Sequence, residues 1–306
     1  MDLGTKLFRR ALLLLAGNRV AAAAAQRYGL KLGAKRFVAG LTREEALKEI
    51  AGLNRKGISV TVDHLGEGIR ELTEAKVFAD EYVRLLADVH ENRVDAGVSL
   101  KPTQMGLALD PETTYEHIRG IVRQANAHHL FVCIDMENSP YTDATIAIVR
   151  KLQAEGLTGV GTVIQAYLRR SMNDCRRLTK ERVVLRLVKG AYKEADSIAY
   201  PRKQEVDDHF KKLIEHRLDS GVFTAIATHD PAIIDWTCAY AAKKGIARSA
   251  YEFQMLYGVA STLQERLALE GYGVRCYVPY GRSWYPYFVR RLAERPANVW
   301  FILKNW

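Results

Sequence analysis

Eight short apolar runs recur along the chain after residue 57, and most of them are followed by a polar or charged residue. Amphipathic stretches of helical length separate the runs, and several of these stretches end at a glycine. This alternation predicts parallel strands joined by helices, in either a closed barrel or a doubly wound open sheet. No GxGxxG or Walker motif is present, and eight consecutive units favour closure. We therefore predict a (βα)8 barrel of the TIM type.

Residues 1–57 precede the first run and are predicted to form a helical extension. The segment KLFRRALLLLAG imitates a secretory signal, but its apolar core of seven residues ends at Asn18 and is too short to span a bilayer. Further along, Thr42 and Glu45 match a capping box at the start of an amphipathic helix. The predicted division is an extension over residues 1–57 and a catalytic barrel over residues 58–306.

Composition narrows the class of protein only slightly. The length of 306 residues suits one barrel, which needs about 250 residues, plus an extension. A net charge of +10 favours acidic ligands, membrane surfaces or nucleic acid without choosing among them. The four cysteines show no metal-ligand spacing, so we expect reduced thiols in a cytosolic protein and no metal site.

Lys101 and Asp135 each follow directly after an apolar run. Because the carboxyl ends of barrel strands meet at one face, we expect both side chains at the mouth of the barrel. Lys101 could form a Schiff base, act as a point charge for an anionic substrate, or be an ordinary surface lysine. Asp135 or the nearby Glu137 could instead cap a helix that begins near Ser139. A contact between Lys101 and Asp135 would keep the lysine charged and make it a poor nucleophile.

Arg186 lies inside the apolar run VVLRLV, where a guanidinium is costly unless it is paired with an anion. Gly190 follows closely and would let the backbone approach a ligand, with Lys189 and Lys193 on either side. A phosphate or pyrophosphate would satisfy this group of cations and amides. A structural pair between Arg186 and an aspartate of the barrel is the alternative.

Two adjacent arginines, Arg290 and Arg291, belong to a helix predicted to start near Ser283. Tyr287 precedes them by three and four residues, so it can share a helix face with each. Arginines on a surface helix are usually solvated, but the aromatic residues around this pair favour a lid over the barrel mouth. In that position the arginines could bind a carboxylate bidentately.

Several motifs together resemble one known family. They are, in order, VSLKPTQMG, VCIDMEN, VIQAYLRR, LRLVKGAY, ATHD, EFQMLYG and YxxRR, and they span roughly residues 55–300. Their order and spacing are similar to those of the proline dehydrogenase family, FAD-dependent enzymes with a distorted (βα)8 barrel. The chain ends at Trp306, as in the monofunctional type. One departure is ATHD, where the family pattern usually has asparagine in place of Asp230.

The resemblance implies the roles of the substrate site. Lys101, Arg290 and Arg291 would hold the carboxylate of L-proline, and Glu67 would pair with Arg290 as a gate. The residues closest to the chemistry would be Asp135, Arg186 and Tyr277. The cavity would be lined by Tyr192, Leu256 and Tyr287.

The resemblance also implies an FAD site. Arg186 and Gln165 would contact the flavin ring, and the backbone of residues 189–191 would lie on the pyrophosphate side. The full set of implied FAD contacts is Met136, Gln165, Arg186, Val188, Lys189, Gly190, Ala191, Thr228 and His229.

The function implied is oxidation of L-proline to Δ1-pyrroline-5-carboxylate by hydride transfer to FAD, the first step of proline catabolism. The implied partners are a membrane quinone as electron acceptor and a separate pyrroline-5-carboxylate dehydrogenase, with no nucleic acid. The expected location is cytoplasmic, and peripheral contact with the inner face of the membrane is a further option. The aromatic tail VWFILKNW could either dock on the barrel or lie at a lipid interface.

Two other classes compete with this interpretation. A Schiff-base aldolase would use Lys101 covalently on the same barrel. A nucleic-acid-binding or membrane-surface protein would account for the net charge and for the basic stretch from Arg169 to Arg182, although a solvated charged face also explains that stretch.

Overall fold

The computed structural model of the protein describes residues 34–66 and 68–294. Three sequence-based predictions therefore lie outside the described residues. They are the helix before residue 34, the gate residue Glu67, and the docking of the aromatic tail that ends at Trp306.

The described residues form a closed barrel of eight parallel strands in sequential order. Each strand pairs with the next, and β8 pairs with β1 over six residue positions from Ser59 with Arg275 to His64 with Tyr280. The predicted barrel is confirmed. The strands are β1 Ser59–His64, β2 Ala96–Leu100, β3 Val132–Ile134, β4 Val160–Gln165, β5 Val184–Val188, β6 Thr224–Ala227, β7 Tyr251–Leu256 and β8 Gly273–Tyr280.

Within residues 34–66 and 68–294, one α-helix follows each strand and one more precedes the barrel. None of the described helices has the length and apolarity that a membrane span requires. The helices are α1 Arg43–Asn54, α2 Leu72–Glu91, α3 Pro111–Ala127, α4 Thr142–Ala154, α5 Ser171–Lys180, α6 Lys203–Asp219, α7 Pro231–Lys244, α8 Ser261–Leu269 and α9 Trp284–Glu294.

The start of α1 shows half of the predicted capping box. The Thr42 hydroxyl accepts a hydrogen bond from the backbone N of Glu45 at 3.3 Å. The Glu45 carboxylate accepts from the backbone N of Leu41 at 2.6 Å, one residue earlier than a capping box requires. The helix is therefore capped from both sides, but not reciprocally.

Side chains alternate between the two faces of each strand, so alternate residues point into the barrel. The outward residues pack under the helices, which buries both faces of the sheet. The inward positions are unusually polar: Asp63, Ser99, Arg186, Glu252 and Gln254 are all buried. This polar interior, rather than the helical shell, is where the candidate chemistry lies.

Helix α9 lies at the carboxyl end of the barrel beside β1 and β8. Its residues Trp284, Tyr285, Tyr287 and Val289 form a buried apolar cluster with Phe37, Val38 and Leu65. The chain segment 37–41 is itself hydrogen-bonded to the end of β8, through Ala39 N to Pro279 O at 2.9 Å and Gly281 N to Gly40 O at 3.0 Å. The start of α9 is thus held against an ordered segment that precedes α1.

Candidate active site

Lys101 lies between two carboxylates at the mouth of the barrel. Its Nζ is 2.9 Å from Asp63 Oδ2 and 3.8 Å from Asp135 Oδ2. The expected contact with Asp135 is present, but Asp63, which is only 1% exposed, is the closer partner. Two neighbouring carboxylates favour the charged ammonium, which is unsuited to Schiff-base chemistry.

Arg186 crosses the interior from β5 and is bonded on two sides. Its Nη1 donates to Asp135 Oδ1 at 2.7 Å and to Ser99 Oγ at 3.0 Å, and its Nε donates to Gln254 Oε1 at 2.6 Å. The sequence leaves a phosphate or an aspartate of the barrel as the partner of this guanidinium, and the structure shows the aspartate. Among the described residues no acceptor is bonded to Nη2, so this atom remains available to a ligand.

The charge of Arg186 is secure. Burial alone would lower the pKa of the guanidinium, but its interactions with Cys133, Asp135, Tyr277 and Glu252 outweigh burial and raise the pKa. The barrel interior therefore keeps a fixed positive charge at every ordinary pH.

Tyr277 completes the cluster from β8. Its hydroxyl donates to Asp135 Oδ2 at 2.9 Å, and its ring centroid is 5.4 Å from the guanidinium carbon of Arg186. Burial and then Asp135 hold the pKa of the phenol well above its usual value, so it remains a donor. Tyr280, three residues further on, instead donates to Glu81 at 3.0 Å. An odd step along a strand changes the face, and this separates the two tyrosines.

Sequence reasoning assigned no role to several residues of this cluster. Asp63 holds Lys101, and Tyr82 donates both to Asp63 at 3.2 Å and to the Ser99 carbonyl at 2.8 Å. Asp63 directly follows the apolar run SVTV, which is the same signal that drew attention to Lys101. The sequence therefore marks Asp63 as a candidate, but its partner Lys101 lies 38 residues away.

The alternative in which Asp135 or Glu137 only caps the next helix is wrong, because the helical segment after β3 has no side-chain cap at its start. Glu137 accepts from the backbone N of Thr103 at 2.9 Å and from its hydroxyl at 2.7 Å. Ser139 is bonded instead to Glu194, which accepts from its backbone N at 2.6 Å and from its hydroxyl at 2.8 Å. Glu194 thereby ties the loop after β5 to the loop after β3.

Lys189 follows β5 but points to the outer rim. Its Nζ is 2.6 Å from Asp207 and 3.0 Å from Asp230, so its side chain offers no spare charge to a phosphate. Asp230 also caps α7 by accepting from Ala232 N at 3.2 Å. The hydrogen bond from Lys189 lowers the pKa of Asp230. The carboxylate at the position where the family pattern has asparagine is thus used to pair with Lys189.

Gly190 requires glycine for two reasons. Its φ is +112°, and a Cβ added there would lie 2.0 Å from the ring of Tyr167. Gly190 and Ala191 are both exposed. Their backbone is therefore accessible to a ligand, as the FAD prediction requires, while the close approach is to a tyrosine of the protein itself.

The other predicted FAD contacts lie at the carboxyl ends of their strands or just after them. Gln165 donates to the Glu137 carbonyl at 2.8 Å and keeps its Oε1 unbonded among the described residues. The Thr228 hydroxyl accepts from Asp230 N at 3.1 Å, and His229 Nε2 accepts from Leu256 N at 2.9 Å. Met136 is buried and Val188 is half-buried. A guanidinium, an amide oxygen and exposed backbone are a donor and acceptor set that fits a flavin nucleotide.

The predicted substrate residues occupy the loop after β5, the end of β7 and helix α9. Tyr192 is 39% exposed, whereas Tyr287 is buried and Leu256 is half-buried. Arg290 and Arg291 are both half-buried, and the guanidinium carbon of Arg291 is 5.1 Å from the ring centroid of Tyr287. Tyr287 and Arg291 do share a helix face, as predicted.

The basic stretch from Arg169 to Arg182 is partly neutralised. Arg170 pairs with Asp143 and with Asp174, the latter at 2.6 Å. Arg177 also reaches Asp174 at 3.1 Å. These ion pairs weaken the argument that the stretch binds nucleic acid.

The fold and this cluster define a (βα)8-barrel enzyme whose charged groups lie inside the barrel and at the carboxyl ends of its strands. The model of the proline dehydrogenase family matches residues 46–304. The chain belongs to the proline dehydrogenase family, and this membership implies a flavin cofactor.

Individual relatives agree with that membership. Proline dehydrogenase 1 of Bacillus subtilis subsp. natto is 44% identical over 299 residues, covering 98% of this chain and 99% of the relative. Proline dehydrogenase of Deinococcus radiodurans is 39% identical over 304 residues, covering 98% of both chains. The crystal structure of proline utilization A from Bdellovibrio bacteriovorus, inactivated by N-propargylglycine, is similar with a TM-score of 0.83 at 26% identity. That similarity covers 95% of this chain and 37% of the longer one.

Proposed function

We propose that this protein oxidises L-proline to Δ1-pyrroline-5-carboxylate with FAD as the hydride acceptor, the first step of proline catabolism. The observation that carries the proposal is the cluster of buried Arg186 with half-buried Lys101, Asp135 and Tyr277 at the barrel mouth. Membership of the proline dehydrogenase family supplies the reaction class, and this cluster supplies the groups that the reaction needs.

The charges inside the barrel explain why two more arginines would be needed to bind the substrate. Among the described residues, ion pairs along the interior join three cations to three carboxylates, which are Lys101, Arg186, Arg275, Asp63, Asp135 and Glu252. This interior is therefore balanced before any anion enters. Arg290 and Arg291 on α9 would supply the positive charge for the proline carboxylate, with Lys101 as the third contact.

Asp135 and Tyr277 would shape the pocket around the ring and amine of proline. Removing hydride from the carbon next to the amine requires the neutral amine, whose lone pair assists the transfer. The cations around the site disfavour a protonated amine and so favour this form. Because Asp135 already accepts from Arg186, Ser99 and Tyr277, it is held in one orientation. Tyr192, Leu256 and Tyr287 would line the remainder of the cavity.

A bound flavin would supply the acceptor for the hydride. Arg186 would stabilise the negative charge that accompanies two-electron reduction, through the Nη2 that no described residue occupies. The other FAD contacts would be Met136, Gln165, Val188, the backbone of residues 189–191, Thr228 and His229.

The proposal extends to the route of the electrons and to the remaining segments. A membrane quinone would receive the electrons during peripheral contact with the membrane, and a separate dehydrogenase would use the product. Residues 1–57 would form the extension and residues 58–306 the catalytic barrel. Glu67 would pair with Arg290 as a gate.

The visible spectrum of the purified protein tests cofactor and substrate together. We expect flavin bands that bleach when L-proline is added without oxygen and that persist with D-proline. A protein denatured before the measurement should release FAD. A colourless protein whose Lys101 is trapped by borohydride with a carbonyl substrate would instead establish the aldolase alternative.

A further inference from the structure

Gln254 and Asp135 bind Arg186 from opposite sides of the barrel interior. Asp135 directly follows β3 and Gln254 lies on β7, and these two strands are four apart in the closed order and so face each other across the interior. Arg186 Nη1 donates to Asp135 at 2.7 Å and its Nε donates to Gln254 at 2.6 Å. The guanidinium is thus fixed between the two strands by hydrogen bonds at different nitrogens.

The amide of Gln254 is itself held in a single orientation. Its Nε2 donates to Glu252 Oε1 at 2.6 Å, which leaves only its oxygen to face Arg186. The same oxygen of Glu252 accepts from Arg275 Nε at 2.8 Å, and Arg275 Nη1 donates to the Val60 carbonyl at 2.9 Å. Donors and acceptors therefore alternate without interruption from the backbone of β1 to Arg186.

Packing alone does not fix Arg186. A cavity of about 240 Å³ is lined by Arg186, Gln254, Glu252 and Arg275, together with smaller residues such as Ala225. A guanidinium that lost its bond to Gln254 would have room to turn towards the Glu252 carboxylate. The hydrogen bond that Arg186 donates to Gln254, rather than steric contact, holds the Nε side of the guanidinium and so keeps Nη1 directed at Asp135 and Ser99.

We propose that Gln254 is the positioning residue of Arg186, and that Glu252 and Arg275 fix the orientation in which Gln254 does this. The proposal rests on the function proposed above, because its consequence is a change in the midpoint potential of a flavin next to Arg186. Gln254 stabilises the reduced cofactor indirectly, by holding a positive charge in place. Its substitution should change the midpoint potential and kcat more than the KM for proline.

The experiment measures the flavin midpoint potential of the holoenzyme in two variants. Gln254→Leu removes the acceptor and frees Arg186 to turn away. Gln254→Glu keeps the shape of the side chain but places a carboxylate beside Arg186 that offsets its charge. We expect each to lower the potential by about 30 mV or more, which is tenfold in the equilibrium of a two-electron couple. If Gln254→Leu does not fold, the isosteric Gln254→Glu still gives the measurement.

Two comparisons make the result specific. Thr237→Val removes a buried hydrogen bond to Ile233 O within α7, away from the barrel interior, and should leave the potential unchanged. In an Arg186→Leu background, Gln254→Leu should have no further effect on the potential. An additive fall in that background, or unchanged potentials in both Gln254 variants, would overturn the proposal. A parent protein that holds flavin but is not bleached by L-proline would count against the proposed function and not against the role of Gln254.

Discussion

Two lysines of this barrel have nearly the same surroundings but opposite orientations. Lys101 follows β2 and lies between Asp63 and Asp135, whereas Lys189 follows β5 and lies between Asp207 and Asp230. Each is a cation between two aspartates at the carboxyl end of a strand. One pair of aspartates faces the barrel interior, and the other lies on α6 and at the start of α7.

The difference follows from the parity of residue positions along a strand. Lys101 is two residues beyond Ser99, which points inwards and bonds to Arg186. Lys189 is three residues beyond the inward Arg186, so its side chain leaves on the other face. The same local chemistry is thus part of the candidate active site in one place and joins α6 to the start of α7 in the other.

The sharpest test of this comparison exchanges each lysine for methionine. Lys101→Met should lower kcat/KM for proline at least about 100-fold, or about 2.7 kcal/mol, because it removes a cation proposed to bind the proline carboxylate and leaves Asp63 without its ion pair. Lys189→Met should instead act on the fold and lower Tm by about 2–4 °C. Steady-state kinetics and thermal unfolding of both variants give the answer. Equal kinetic losses in the two variants would remove the distinction between interior and rim.

The second prediction concerns the positive charge that Arg290 and Arg291 would add to an interior whose own charges are already paired. Arg290→Met and Arg291→Met should each lower kcat/KM at least about tenfold, roughly 1.4 kcal/mol, with flavin retained. The flavin content of each variant, measured by its absorbance, serves as the control. Unchanged proline kinetics in both variants would place the carboxylate elsewhere.

Tyr277 offers a smaller and more specific effect. Its ring is expected to pack against proline and exclude a hydroxyl at the fourth ring position, since burying an unpaired hydroxyl costs about 1–3 kcal/mol. The unmodified enzyme should therefore prefer L-proline to trans-4-hydroxy-L-proline, and Tyr277→Ser should narrow the difference. The ratio of kcat/KM values for the two substrates is the measurement, and Tyr280→Phe on the other face is the matched control. A ratio that Tyr277→Ser does not alter would show that another residue sets this preference.

The smallest effect is expected at the rim, in the stability of the fold at acid pH. The bonds from Lys189 and Lys203 outweigh burial and lower the pKa of Asp207, and Lys189 lowers that of Asp230. A carboxyl with a lowered pKa stabilises the fold above its unfolded value of about 3.9, and this contribution is lost as pH falls through the folded pKa. Asp230→Asn should therefore weaken the dependence of Tm on pH below about 4. If Tm falls equally with pH in the parent and in Asp230→Asn over this acid range, the prediction is contradicted.

Much of the fold could be predicted because each strand is an apolar run followed by a polar residue. Helix α5 is hard to recognise from the sequence, since SMNDCRRLTK offers few apolar positions. Helix α2 begins at Leu72, and the backbone of the preceding Glu71 is still extended. Local composition decides which elements exist, but their exact starts depend on the backbone conformation at the cap.

The site was harder to predict than the fold because its contacts join distant strands. Glu252 and Arg275 carry the same signal as Arg186, a charge within a strand run, yet their pairing needs the neighbouring register of β7 and β8. Lys189 was expected near a phosphate, and only the positions of Asp207 and Asp230 show that its charge is already compensated. Sequence identifies candidate charges, and the fold decides which of them are satisfied internally.

The anchoring of α9 has a consequence for anyone who wishes to redesign substrate preference. Because Trp284, Tyr285 and Tyr287 pack on Phe37 and Val38, the helix that carries the two arginines cannot be replaced without matching these contacts. A graft of α9 alone from another barrel would meet an unmatched surface at residues 37–41. Transplanting both segments together, with the end of β8 that joins them, is the smallest exchange that preserves their shared aromatic packing.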